Sequence, residues 1–270
     1  MAVRAMTYNI KTGGYDGADQ SRLAGVAAVV DRIRPDLLAL QELRGFDRRR
    51  LAGLAESWGM TGHLARSVSG QPVAVLVRPP ARIVAAGSVH RPFHHAAARV
   101  TVATDRGPLT VLGTHLQPYS GGWRLREAGW LTAPARPRRG TGGVPMVLLM
   151  GDLNSLDPWT DHRERIERLP PAYRGRHLTR GAVDTRAVAA LDRAGFVDLF
   201  RRAGTGEVTH TAPTTRGGGA EFSGMRLDYI LGTAPVAALA RDCRVVTGGD
   251  TEWASDHYPV IADLDLSPVG

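Results

Sequence analysis

The chain has 270 residues, 43% of them hydrophobic, which suits one large α/β domain or two small ones. Its only cysteine, Cys243, excludes an intramolecular disulfide and fits a reducing cytoplasm. No stretch approaches the roughly 20 apolar residues that a membrane helix needs. The formal net charge is +8, and because Lys11 is the only lysine, nearly all of the positive charge is arginine.

This basic charge has two explanations. It suits a polyanionic partner such as nucleic acid or an anionic lipid surface, and arginine forms bidentate contacts with phosphate. A genome-wide bias in base composition would produce the same arginine skew without any binding function. Composition alone leaves both explanations open.

The first half of the chain predicts alternating short strands and helices. Residues 3–10 already resemble a strand, which leaves no charged and apolar segments of a secretion signal. Asp19 or Ser21 is predicted to cap a helix that Pro35 stops. A buried strand over 37–40 and a helix over 48–58 follow. Four more short strands are predicted over 73–77, 83–89, 96–103 and 109–112.

The second half is less regular. Residues 133–145 are rich in Pro, Gly and Arg and predict a surface loop, whose Arg136, Arg138 and Arg139 either contact a phosphate backbone or are simply solvated. Helices are predicted over 124–131 and 185–194. Strand-like segments run from residue 4 to 264 without a break in composition, so we expect one domain over 1–270 with β-meanders interrupted by helices.

Several apolar runs stop on a polar side chain. They end at Asn9, Glu42, His115 and the pair Asp152 and Asn154. Each run is expected to deliver its polar group to the end of a sheet, so together they predict a polar rim.

Three further polar residues extend this rim. Asp256 and His257 stand side by side before the last apolar run. Asp228 lies within the apolar segment 225–231, where an ionised carboxylate is costly unless it is paired, and His257 is the obvious partner. Adjacent residues such as Asp256 and His257 carry little weight alone, but the rim as a set is hard to explain by coincidence.

The rim contains the parts that phosphodiester hydrolysis needs, namely a hard divalent cation, a group that activates water and donors for the developing charge. Glu42 is a candidate Mg²⁺ ligand, Asn9 offers an amide oxygen beside it, and Asp256 is a candidate second ligand, directly or through water. Asp152 is expected to align or deprotonate the attacking water while Asn154 fixes the phosphate or the water.

The remaining rim residues predict a phosphate clamp. Asp228 would fix the tautomer of His257 and stabilise its charged form, and His115 would donate to another phosphate oxygen.

Each candidate also has a purely structural explanation. Asn9 is a possible turn residue, Glu42 a possible helix cap, and His115 a possible hydrogen-bonded core residue. The other histidines have no acid at ligand spacing and are interpreted as surface or loop residues: His63, His90, His94, His95 and His210.

The order of these motifs resembles the endonuclease/exonuclease/phosphatase superfamily from residue 4 to about 264. The motifs are Thr-Tyr-Asn9-Ile, Gln-Glu42-Leu, Gly-Thr-His115-Leu, Gly-Asp152-Leu-Asn154, Leu-Asp228-Tyr-Ile and Ser-Asp256-His257-Tyr-Pro-Val.

The resemblance implies an α/β fold, a four-layered α/β/β/α sandwich of two packed mixed sheets flanked by helices. It also implies a phosphoesterase site at one edge that depends on Mg²⁺, with Mn²⁺ as a possible substitute. The same residue roles follow from it: Glu42 looks like the metal ligand with Asn9 and Asp256 near it, Asp152 and Asn154 like the water- and phosphate-positioning pair, His257 and Asp228 like the acid–imidazole dyad, and His115 like a phosphate contact.

The substrate is left open by this resemblance. Leu43-Arg44 follows Glu42 where abasic-site endonucleases typically carry Thr-Lys, and the His115 motif looks more like the deoxyribonuclease I and sphingomyelinase branch, so abasic-site repair is disfavoured. We expect a monomeric, cytoplasmic nuclease. The alternatives are an enzyme for a small phosphoester or phospholipid headgroup, and a non-catalytic binding protein with the same fold.

Overall fold

The computed structural model describes residues 2–137 and 143–267. Most of this part of the chain forms strands and helices. The strands are β1 (Ala2–Asn9), β2 (Leu37–Gln41), β3 (Thr61–Ala65), β4 (Val73–Val77), β5 (Arg82–Ser88), β6 (Ala96–Thr104), β7 (Gly107–His115), β8 (Val147–Asp152), β9 (Leu178–Thr179), β10 (Ala182–Val183), β11 (Phe196–Asp198), β12 (Asp228–Thr233), β13 (Ala240–Val245) and β14 (Val260–Asp265). The helices are α1 (Ser21–Ile33), α2 (Arg48–Ser57), α3 (Gly121–Leu131), α4 (Arg163–Arg168), α5 (Pro171–Arg174), α6 (Arg186–Arg193), α7 (Leu199–Ala203) and α8 (Ala234–Ala237).

Two six-stranded sheets share one plan. The first has the order β13-β14-β1-β2-β4-β3 and the second the order β11-β12-β8-β7-β6-β5. In each sheet the two central strands are parallel, β1 with β2 and β7 with β8, while the flanking pairs are antiparallel. A separate pair, β9 and β10, forms a small hairpin. Both large sheets are therefore mixed, as the sequence predicts.

Three apolar cores hold four layers together. The largest fills the space between the two sheets, with inward side chains such as Val75 and Met150. A second core packs α1 and α2 on the outer face of the first sheet, and a third packs α3 and α6 on the outer face of the second. The predicted α/β/β/α sandwich is confirmed. Assignment of the whole chain to one domain stays a prediction, supported by the core that the two sheets share.

Most predicted elements are present with shifted ends. The strand predicted over 109–112 is longer in the structure, where β7 spans Gly107–His115. The sequence analysis missed β3 and β13, because exposed residues in these two edge strands interrupt the apolar pattern. A short 3₁₀ turn at Ala133–Ala135 lies within the predicted loop, whose Arg138 and Arg139 fall outside the described residues. In the part of the chain that the structure describes, no helix is long and apolar enough to span a membrane.

Strand pairing brings the predicted polar rim to one edge. In the second sheet Asp152 at the end of β8 lies opposite His115 at the end of β7 and opposite Asp228. The sequence analysis placed Asp228 inside a strand, whereas in the structure it is the first residue of β12. In the first sheet Asn9 ends β1 beside the end of β2. The carboxyl ends of the parallel strands and the amino ends of their antiparallel neighbours therefore lie at the same edge of the sheets.

Gly151 permits this arrangement in the second sheet. Its φ of +154° lies where side-chain-bearing residues are rare, and a Cβ atom there would overlap the backbone carbonyl oxygen of Thr114 on β7. Close approach of β7 and β8 just before Asp152 therefore requires glycine.

Candidate active site

A buried pair of His257 and Asp228 crosses between the two sheets. His257 Nδ1 donates to Asp228 Oδ2 at 2.7 Å, and the two residues are 3% and 1% exposed. Burial alone would lower the pKa of His257, but the negative charges of Asp228 and Asp152 outweigh it and hold that pKa well above its ordinary value. The imidazole is therefore a buried cation. Its Nε2 atom lies 3.8 Å from Asp152 Oδ2.

Asp152 lies at the centre of the site. Its Oδ2 accepts from the Asn9 side-chain amide at 3.0 Å, and its Oδ1 accepts from the backbone N–H of Asn154 at 2.8 Å. Burial, reinforced by the charge of Asp228, raises the pKa of Asp152 to about 7. A carboxylate with this pKa can take up a proton near neutral pH, as a general base must.

His115 holds Asn154 in place. The Asn154 side-chain N–H group lies 3.0 Å from His115 Nε2 and donates to the Leu116 carbonyl at 2.9 Å. Because the amide nitrogen faces both atoms, Nε2 of His115 is the acceptor and its proton sits on Nδ1, which has no hydrogen-bond partner among the described residues. Burial lowers the pKa of His115 to about 3, so the ring is neutral. Its predicted donation to a phosphate oxygen stays a prediction.

Asn9 links two carboxylates. Its side-chain amino group donates to Glu42 Oε1 at 3.2 Å as well as to Asp152. Its amide oxygen accepts from the backbone N–H of Lys11 at 3.0 Å, and its predicted place beside a metal stays a prediction. Glu42 also accepts from the backbone N–H of Thr12 at 3.0 Å. Glu42 does not cap the next helix, because Asp47 does so.

Asp256 contacts Lys11, whereas its neighbour His257 pairs with Asp228, and the predicted metal-binding role of Asp256 stays a prediction. Lys11 Nζ lies 3.4 Å from Asp256 Oδ2 and donates to the Gly217 carbonyl at 2.9 Å. Burial raises the pKa of Asp256, and the charge of Glu42 adds to the effect, so these two carboxylates are close enough to repel each other. Sequence analysis missed Lys11, although it is the only lysine in the chain.

The backbone of the site is strained. Six described residues other than glycine have positive φ, and four of these belong to the site: Lys11 at 47°, Thr12 at 51°, Glu42 at 59° and Asn154 at 47°. Such conformations are uncommon away from glycine and cluster where a side chain must be aimed. They turn the chain sharply just past the ends of β1, β2 and β8.

Three other contacts were not predicted. Phe222 presents its ring edge-on to His257, with the centroids 5.2 Å apart. Ser255 Oγ donates to the Asn9 carbonyl at 2.6 Å and joins the segment before β14 to the end of β1. His95, interpreted as a surface or loop residue, lies in the loop before β6 but is buried and stacks on His115 with centroids 4.1 Å apart at 24°. The clue in the sequence was that His95 directly precedes a predicted strand.

Among the described residues, one group of His and Asp side chains has ligand atoms within 4.8 Å of one another: Asp152, Asp228 and His257. Two of these atoms are already joined by the 2.7 Å hydrogen bond. Mg²⁺ prefers oxygen ligands only, whereas an imidazole ligand suits transition metals. The group is therefore better described as a proton-bearing triad than as a Mg²⁺ site.

The sequence of the chain matches a known protein family. The sequence profile of the Endonuclease/Exonuclease/phosphatase family matches residues 6–257. The chain belongs to this family. Members of the family are phosphoesterase hydrolases that typically depend on a divalent metal, so this family member is a hydrolase of phosphate esters. No curated protein matches the chain.

Solved structures of other family members share the fold. An endonuclease/exonuclease/phosphatase from Bacteroides vulgatus is 17% identical with a TM-score of 0.72, over 99% of this chain and 100% of that one. An AP endonuclease from Archaeoglobus fulgidus is 22% identical, with a TM-score of 0.71 and coverage of 97% and 99%. A mannosyl-6-phosphatase from Bacteroides thetaiotaomicron is 15% identical, with a TM-score of 0.69 and the same coverage. These similarities confirm the fold and leave the substrate undecided.

Burial of His95 predicts a stability that falls in mild acid. Burial lowers the pKa of His95 to about 2. An unfolded chain binds a proton there below about pH 6.5, whereas the folded protein does not, so stability is lost as the pH falls below that value. The free energy of unfolding should therefore fall less between pH 7.5 and 5.5 in His95→Phe, which keeps the stacked ring, than in the unmodified protein. The expected difference between the two proteins is about 1 kcal/mol.

Urea denaturation at the two pH values measures this difference. His90→Phe is the control, because His90 is exposed and unstacked. Equal losses of stability in the unmodified protein and in His95→Phe would contradict a neutral buried His95.

Proposed function

We propose that this protein is a divalent-metal-dependent phosphodiesterase that acts on nucleic acid. The observation that carries the proposal is the position of Asp152, which lies between the cationic His257 and the amide of Asn9 with a pKa of about 7. A cation and a proton acceptor are thereby held within one site at the edge of the sheets. Phosphodiester hydrolysis requires both.

His257 and Asp152 divide the work of the reaction. The His257 imidazolium, kept protonated by Asp228, binds a non-bridging phosphate oxygen and stabilises the charge that develops there. Asp152 accepts a proton from the attacking water as the water oxygen bonds to phosphorus. The phosphorus–oxygen ester bond on the opposite side breaks, and the leaving oxygen takes a proton from solvent. Asn154 fixes the Asp152 carboxylate through its backbone N–H.

Glu42 and Asp256 would hold the metal. Both offer hard carboxylate oxygens, and burial, to which the charge of Glu42 adds, raises the pKa of Asp256, a cost that a divalent cation would relieve. Asn9 then orients Glu42 through its amino group. Bound Mg²⁺, or Mn²⁺ in its place, would neutralise phosphoryl oxygens. The ammonium group of Lys11 already covers one side of Asp256, which favours a single metal ion.

Nucleic acid is the favoured substrate because of charge. The net charge of +8 is carried almost entirely by arginine, the side chain best suited to bidentate phosphate contacts. A small soluble phosphoester carries too few charges to gain much from such a surface. The buried single cysteine agrees with the cytoplasmic location proposed from the sequence, and we propose that the enzyme works as a monomer.

Loss of either central side chain should remove activity and not the fold. Asp152→Asn and His257→Gln remove the proton acceptor and the cation, so kcat/KM for a single-stranded oligonucleotide should fall by about 10³-fold. Circular dichroism checks folding, and His90→Gln serves as the exposed control. Full activity in either folded variant would contradict the proposed roles.

Metal binding should depend on Glu42 and Asp256. EDTA should abolish hydrolysis, and calorimetry with Mn²⁺ should show at least about tenfold weaker binding in Glu42→Gln and in Asp256→Asn. Glu56→Gln, an exposed glutamate on α2, is the matched control. If Asp228→Asn weakened Mn²⁺ binding and Glu42→Gln left it unchanged, the metal would instead be assigned to the triad of Asp152, Asp228 and His257.

A further inference from the structure

A series of contacting rings runs from the active site to the surface. His95 stacks on His115, and His94 contacts His95 with centroids 4.5 Å apart at 72°. Tyr119 follows, with its ring 6.2 Å from that of His94 at 86°. The Arg176 guanidinium then lies 5.2 Å from the Tyr119 ring centre. The proposed hydrolytic chemistry uses only the inner end of this ladder of rings.

The outer end of the ladder is open. Tyr119 is 60% exposed, the most exposed aromatic side chain among the large apolar residues of the described chain. The Arg176 guanidinium also contacts a second tyrosine and lies 4.8 Å from the ring centre of Tyr173. Within residues 2–137 and 143–267, no carboxylate forms an ion pair with Arg176. An exposed aromatic ring and a half-buried guanidinium with no carboxylate partner among the described residues thus lie together.

Tyr119 is held firmly despite its exposure. The Gln117 side-chain oxygen accepts from the backbone N–H groups of Tyr119 and Ser120, both at 2.6 Å. The fully buried Glu127 accepts from the backbone N–H of Gln117 at 2.8 Å and from that of His94 at 2.6 Å. The two segments that carry the ladder are therefore fixed to α3, and ordering Tyr119 costs little when a ligand binds.

We propose that Tyr119 and Arg176 form a subsite for a nucleotide next to the scissile phosphodiester of a single-stranded nucleic acid. The base stacks on Tyr119 and a neighbouring phosphate pairs with Arg176, a combination by which proteins hold single strands with little preference for sequence. Tyr119 lies four residues beyond His115, on the segment that leaves the active site, and the ladder of rings connects it to His115. This inference rests on the proposed hydrolysis of phosphodiesters at Asp152 and His257.

The decisive comparison uses two short single strands that differ only in their bases. One is an eight-nucleotide oligothymidylate, and the other carries abasic tetrahydrofuran units at every position. Binding is measured by fluorescence anisotropy in EDTA, so that no hydrolysis occurs, and KM and kcat are measured with Mg²⁺. The variants are Tyr119→Ala, Tyr119→Trp and Arg176→Ala, with Val84→Ala as an exposed apolar control on β5.

Tyr119→Ala should weaken binding of the oligothymidylate about tenfold, since stacking of one base contributes on this scale. Tyr119→Trp should restore it, and neither should change binding of the abasic strand. Arg176→Ala should weaken the binding of both strands and lower the slope of log Kd against log salt by about one. KM should follow Kd, with kcat changed less than twofold.

The subsite would be overturned if the unmodified protein bound the two strands equally and Tyr119→Ala did the same. It would also be overturned if the unmodified protein bound neither strand. Such a result alongside cleavage of both strands would leave the proposed hydrolysis standing. Conversely, base-dependent binding through Tyr119 without cleavage of any phosphodiester would support the subsite and reject the proposed activity.

Discussion

The buried pair of His257 and Asp228 is the interaction on which the site depends. It joins the segment before β14 of the first sheet to the first residue of β12 in the second. A charge withdrawn from water is tolerated only with a close partner, and the carboxylate of Asp228 is the partner that helps to keep His257 charged. The charge of Asp228 also helps to raise the pKa of Asp152. One inter-sheet contact thus raises the pKa of both His257 and Asp152, the two residues to which the proposed hydrolysis assigns the phosphate-binding cation and the base.

The polar rim was predictable because its signals are local. An apolar run that stops on a polar residue is visible in a few consecutive letters, as for the strands ending at Asn9, His115 and Asp152. The pairing of His257 with Asp228 was also predictable, because a carboxylate beside an apolar strand needs a partner. The layered fold followed from the resemblance to the family, which the match over residues 6–257 confirms.

Other features depend on contacts between distant segments. His95 is buried because β6 pairs with β7 and carries it onto His115, which no local pattern shows. The direction of the Asn9 amide is set by the backbone N–H of Lys11, in a turn of unusual φ that no residue type announces. The register that aligns Asp228, Asp152 and His115 likewise arises only when three strands pair.

The identity of the substrate needs a direct test, because an AP endonuclease and a mannosyl-6-phosphatase share this fold and the fold therefore does not decide the substrate. The most direct measurement is the rate of Mg²⁺-dependent hydrolysis of DNA, RNA, sphingomyelin and inositol phosphates between about 50 and about 200 mM salt. We expect turnover of nucleic acid with a KM that rises steeply with salt. Turnover confined to a small phosphoester, with little response to salt, would contradict the account, and no turnover of any substrate would favour a binding protein.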